Sequence, residues 1–207
     1  MRLSPVAVAA AARAAVASRH LRLRLVPSPA HSAVRPASTL SAMDALWDSP
    51  IVSSIAFQAR RVPQPGGSDT GVVDVNNQSL GWRVFRNPSP TPPTAPVFLF
   101  LHGNAETVDD VQYTAPGLFA AGAAGVLALD WRGYGWSSGS STLRNLVADM
   151  RALPRVLPAL LAKVGFPAPR PLMVYGRSMG ATAAAHVVAN SPVRGERTAA
   201  FWFFTAE

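Results

Sequence analysis

The chain is 207 residues long, 49% hydrophobic and only 14% charged, a balance that fits one packed domain and excludes wholesale disorder. Its net charge of +8 sits mostly in residues 1–43, which hold six arginines and no acid, so the remainder is near neutral and carries no basic stripe for nucleic acid. With no cysteine, disulfides and thiolate metal sites are excluded, and no uncharged apolar run reaches the roughly 18 residues of a membrane span.

Residues 1–43 are rich in Ala, Ser and Arg and lack Asp and Glu, the composition of a mitochondrial or plastid transit peptide. Two alternatives stand beside that expectation: a secretory signal built on the short apolar stretch from Val6 to Ala12, and a disordered leader on a cytoplasmic protein. A lead-in over 44–70 follows and ends in the turn-rich PQPGGSDTG.

Alternation in Leu80, Trp82, Val84 and Arg86 predicts a strand over 80–86, paired antiparallel with 72–75 through a turn at Asn76 to Ser79. Beyond the Pro-rich loop at 87–96 the pattern changes. Short continuous apolar runs at 97–101, 125–129 and 172–175 predict strands buried on both faces, with helices over 107–121 and 143–161 between them. Strands alternating with helices imply a mostly parallel sheet, covered on both faces, with the antiparallel hairpin at its edge. Pro154 and Pro158 are expected to break or kink the second helix.

Gly176-Arg177-Ser178-Met179-Gly180 fits the G-x-S-x-G nucleophile elbow, a tight strand-to-helix turn that lifts a serine hydroxyl into an open cleft. Strand residues 172–175 lead into it and helix formers from Ala181 to Val188 follow. A second copy, Gly135-Trp136-Ser137-Ser138-Gly139, has neither neighbour and reads as a connecting loop. His102-Gly103-Asn104-Ala105-Glu106 ends the strand 97–101, the position from which such sheets supply one oxyanion donor. The two expected donors are the backbone N–H groups of Asn104 and Met179. Gly103, Gly176 and Gly180 are supporting residues, and His102 is expected to brace the loop rather than act as a base.

The segments LFLHGNAE, LDWRGYGWSSG and YGRSMG, in this order and spacing, resemble Bem46-like and related α/β-hydrolase-domain serine hydrolases, with the likeness covering about residues 71–190. The resemblance implies an α/β-hydrolase fold, a serine hydrolase acting on an acyl ester, thioester or amide, a small-molecule or acylated substrate, and no cofactor or metal. The membrane-anchoring cysteine cluster of some depalmitoylase relatives has no counterpart here, because the chain has no cysteine.

In this fold the triad runs Ser, then Asp or Glu, then His along the sequence, which argues against Asp130 as its acid. After Ser178 the titratable candidates are His186, Glu196 and Glu207. His186 lies eight residues along the same helix, about 12 Å at 1.5 Å per residue, too far to serve Ser178. The expectation is therefore a truncated domain whose tail, 191–207, diverges before the triad acid and histidine, and which has little turnover by itself. The alternative is a catalytically inactive half-domain acting as an interaction or decoy protein. The aromatic run from Ala199 to Phe204 is the place where a sixth strand is the alternative to a divergent tail.

Overall fold

The computed structural model describes residues 49–191 and the strand at 198–203; the leader over 1–43, and both Glu196 and Glu207, lie outside the described residues. A short helix, α1 (Pro50–Ala56), opens the lead-in, with the Ser49 hydroxyl accepting from the Val52 N–H. The hairpin follows as β1 (Thr70–Val75) and β2 (Gln78–Arg86), with Val75 opposite Gln78. The turn is only two residues long, so Gln78 and Ser79, expected within it, belong to β2. Asn76 and Asn77 hold it at φ of 51° and 59°, a left-handed pair whose twist matches that of the strands and which asparagine tolerates better than most side chains.

β3 (Val97–Leu101) and β4 (Gly125–Leu129) have the expected bounds, and every residue of both is buried. Between them, the single helix expected over 107–121 is instead a 3₁₀ helix (Val108–Tyr113) followed by α2 (Ala115–Ala120). Pro116 has no N–H to reach the Gln112 carbonyl, so a continuous ladder cannot pass that point.

The opposite departure occurs in α3 (Leu143–Lys163), which runs unbroken through Pro154 and Pro158. Leu146, Met150, Leu153, Leu157 and Leu160 recur every three or four residues and are buried. Full burial of such a side chain is worth up to about 1.5–3 kcal/mol, against about 3 kcal/mol lost at each internal proline. The buried stripe outweighs the two missing hydrogen bonds.

β5 (Leu172–Arg177) extends two residues past its expected end and leads through Ser178 into α4 (Met179–Ala189). β6 (Thr198–Phe203) pairs parallel with β5, Leu172 opposite Thr198, so the tail contributes a sixth strand rather than leaving the β5 edge open. The sheet order is β1-β2-β4-β3-β5-β6, with β1 and β2 antiparallel and β4, β3, β5 and β6 mutually parallel.

Alternate residues of the central strands serve opposite faces. Leu99, Leu101, Leu127, Leu129 and Val174 join the core formed with Leu146, Met150, Ala183 and Val187 of α3 and α4. Phe98, Phe100, Val126, Met173 and Tyr175 join Val108, Val111 and Leu118 on the other side. This is a mostly parallel α/β sheet with an antiparallel edge and helices on both faces. No helix among the described residues is long and apolar enough to cross a membrane.

Candidate active site

The carboxyl ends of β3, β4 and β5 deliver three loops to one rim of the sheet. Ser178 stands between β5 and α4 at φ 52° and ψ −120°, exposed, its carbonyl accepting the Ala181 N–H at 2.8 Å. A serine rarely adopts this backbone, which costs about 1–3 kcal/mol and persists only where neighbours enforce it. The enforcing contacts are those of the two glycines. A Cβ on Gly176 would run into the Gly180 carbonyl and stand 2.7 Å from Ala181 Cα, and one on Gly180 would run into Leu101 O and stand 2.7 Å from His102 O. The start of α4 is thereby seated directly on the backbone that ends β3. Its first N–H, that of Met179, has no intrahelical partner by construction of a helix N-terminus.

The loop after β3 faces this turn. A Cβ on Gly103 would lie 3.5 Å from Arg177 O, so the loop and the elbow are in backbone contact range. Ala105 sits at φ 60°, a left-handed kink. The Asn104 side-chain oxygen accepts three N–H or O–H groups: Gln58 N–H at 2.9 Å, Ala105 N–H at 3.0 Å and Tyr134 Oη–H at 2.6 Å. Burial pushes the Tyr134 phenol up to about 12, with the Ala105 and Gln58 backbone pulling the other way, so it stays a donor at neutral pH. The Asn104 backbone N–H has no hydrogen-bond partner among the described residues. That of Gly103 donates to Glu106 Oε2 at 2.7 Å.

His102 is fully buried and braces the loop from beneath: Nδ1 lies 2.7 Å from the Gly103 carbonyl and Nε2 3.1 Å from Asp130 Oδ1. Its ring packs against Trp131 and Tyr134, centroids 4.9 and 5.5 Å away. Asp130, also fully buried, accepts the Val108 N–H at 3.0 Å. The second G-x-S-x-G serine, Ser137, is buried too, accepting the Gly81 N–H at 2.8 Å. Its hydroxyl is used to hold β2 against the loop after β4, and it is not presented to solvent.

His186 lies within α4, half-buried, its pKa lowered by partial burial and then by the Arg151 cation. The elbow glycines, the β3 loop and Ser178 thus come together; His186 and Ser137 do not join them.

Two sets of residues at the rim carry no recognisable mark in the sequence. Glu106 and Arg177, the charged members of the two motifs, are paired: Arg177 Nε donates to Glu106 Oε2 at 2.9 Å, and Arg177 Nη2 meets Glu106 Oε1. The lead-in also reaches the rim, with Arg60 on Thr107 and Asp110, and Arg61 on the carbonyls of Ser137 and Gly139. The only signal for the first set is an acid in one glycine motif and a base in the other. For the second there is none beyond two adjacent arginines.

Residues 92–200 match the family model described as serine aminopeptidase, S33. Among solved structures, a candidate hydrolase from Agrobacterium vitis S4 is 18% identical with a TM-score of 0.44, over 67% of this chain and 50% of that one. The thioesterase domain from the curacin biosynthetic pathway is 22% identical with a TM-score of 0.43, over 60% and 42%. A Pyrococcus furiosus esterase is 22% identical with a TM-score of 0.42, over 61% and 50%. The protein spans half or less of the length of each of these three structures. No curated protein matches the sequence.

Proposed function

Since the chain belongs to the S33 serine aminopeptidase family of the α/β-hydrolase superfamily, we propose that it is the nucleophile-bearing part of a serine hydrolase that cleaves acyl esters, thioesters or amides through Ser178. The observation that carries this reading is the exposed Ser178 held at φ 52° between a parallel strand and a helix.

In the proposed reaction the Ser178 hydroxyl attacks the acyl carbonyl while its proton passes to a base. The carbonyl oxygen becomes an oxyanion and is received by the backbone N–H groups of Asn104 and Met179. Collapse expels the alcohol, thiol or amine and leaves an acyl-serine for water to hydrolyse. Support for those two donors is that neither has an internal partner among the described residues, whereas the neighbouring Gly103 N–H is already taken by Glu106. Preorganised donors of this kind each contribute about 2.7–4 kcal/mol to the transition state. A serine hydroxyl is weakly nucleophilic without an adjacent base, and His186, set in the flank of α4, does not supply one. The base and its carboxylate partner are proposed to come from residues that follow Glu207 in a longer form of the protein.

The test is labelling with a fluorophosphonate probe, in the 207-residue protein and in one extended through the downstream coding sequence. The extended protein is expected to be labelled at Ser178 and the Ser178→Ala variant not at all. Label retained in Ser178→Ala, or absent from the folded extended wild type, refutes the assignment.

A further inference from the structure

We infer that the Glu106–Arg177 ion pair is a positioning device that aims the Asn104 N–H at the site of the developing oxyanion, an inference that rests on the reading of Ser178 as nucleophile. Glu106 closes the β3 loop and Arg177 directly precedes Ser178, so the pair ties the loop to the elbow one residue from the proposed reacting atom. The Glu106 carboxyl does two tasks. Its Oε2 accepts the Gly103 N–H at 2.7 Å and Arg177 Nε at 2.9 Å, and Oε1 meets Arg177 Nη2.

Capping the Gly103 N–H fixes the His102–Gly103 peptide, next to the plane that carries the Asn104 N–H, whose Gly103 carbonyl lies 2.7 Å from His102 Nδ1, and it withdraws Gly103 as a competing donor. From the opposite side the Asn104 side-chain oxygen is held by the Gln58 N–H and the Tyr134 hydroxyl, and it accepts the Ala105 N–H at the left-handed kink. Asn104 is thus clamped between an ion pair on the elbow side and the side-chain hydrogen bonds from Gln58 and Tyr134, while its own N–H is left without an internal partner among the described residues. A loop with a residue at φ 60° does not hold such a peptide orientation unaided.

Both side chains are about a quarter exposed, 28% for Arg177 and 24% for Glu106, so the pair is too wet to be a main source of global stability. Its effect should therefore separate from folding. An error of about 1 Å in a catalytic group can cost about 100-fold in rate, and a pivoting donor falls in that regime.

Two readouts test the inference. In the 207-residue protein, amide hydrogen exchange over residues 103–105 is compared for wild type, Glu106→Ala, Glu106→Gln and Arg177→Gln. Exchange is expected to rise about 10-fold or more in Glu106→Ala, and less in Glu106→Gln, whose amide oxygen still caps Gly103. In the extended protein, the rate of Ser178 phosphonylation is expected to fall about 10- to 100-fold in Glu106→Ala and Arg177→Gln, with melting temperatures within about 2 °C of wild type. Unchanged exchange in every variant overturns the clamp, and so does a labelling rate within about two-fold of wild type. If wild type is not labelled but exchange responds as expected, the clamp stands and the serine-hydrolase reading fails. Should Glu106→Ala not fold, Arg177→Gln, which leaves the Gly103 cap in place, decides through its labelling rate.

Discussion

Replacing Asp130 with alanine should destabilise the protein without being a test of catalysis. Asp130 is fully buried, its Oδ1 accepts the Val108 N–H at 3.0 Å and stands 3.1 Å from His102 Nε2, and a Cβ on Gly135 would run into its Oδ2. Alanine removes the acceptor of the buried Val108 N–H and the carboxylate that faces His102 Nε2. A stranded buried donor costs about 1–3 kcal/mol, and the lost Val108 acceptor sets that expectation. For a protein of this size a kcal/mol moves the melting temperature by roughly 2–4 °C, which makes about 2 °C the smallest expected fall. The assay is thermal unfolding followed by circular dichroism at constant pH and salt. Asp130→Asn, which keeps an oxygen for Val108, should lose less. A melting temperature for Asp130→Ala within about 1 °C of wild type would show that the His102–Asp130–Val108 network does not hold the β3 loop. Unchanged stability joined to lost Ser178 labelling would instead make Asp130 a candidate for the catalytic acid.

Gly180→Ala should shift the start of α4, since its Cβ would meet Leu101 O and lie 2.7 Å from His102 O; a loss of about 1–3 kcal/mol in urea unfolding and loss of Ser178 labelling are expected, while Gly66→Ala, with open space around it, should change neither. His186 gives a pH dependence of known sign: partial burial and the Arg151 cation lower its folded pKa below the ordinary 6.5, so the unfolded chain binds the proton more readily. Its contribution is complete above about pH 6.5 and is lost as the pH falls below that value, so His186→Gln should flatten the urea midpoint between roughly pH 7 and 5; an unchanged slope refutes it.

The parts of the fold that are legible in the sequence are those whose cause is local. Val97–Leu101 and Gly125–Leu129 are five-residue apolar runs bounded by polar or loop residues, and the strands have those bounds because burial on both faces leaves no room for a polar residue. The two prolines of α3 illustrate the reverse case. Local chemistry argues for a break at Pro154 and Pro158, yet the decisive term is the stripe from Leu146 to Leu160, whose burial depends on the sheet it covers. The 3₁₀ helix is a subtler departure: the pattern over 107–121 suggests one element, and the missing N–H of Pro116 is the local term that divides it.

The same division separates the two G-x-S-x-G copies. Glycines at fixed offsets state only that backbone approaches closely at those points; what a serine between them can do depends on which polar groups surround its oxygen. Around Ser137 they are the Gly81 N–H and the Asp130 carbonyl, one from a segment distant in sequence and the other bent back across the loop, and they consume the hydroxyl in a buried hydrogen bond. Ser178 is exposed, stands at a left-handed backbone angle, and is followed by a helix N-terminus. The flanking strand and helix formers separate the two copies in the sequence, because they report the turn that exposes a side chain. Glu106 and Arg177 have no such mark. They lie 71 residues apart in the sequence and belong to side-chain types common on any surface, and only the packing of α4 onto the end of β3 gives their charges a shared task.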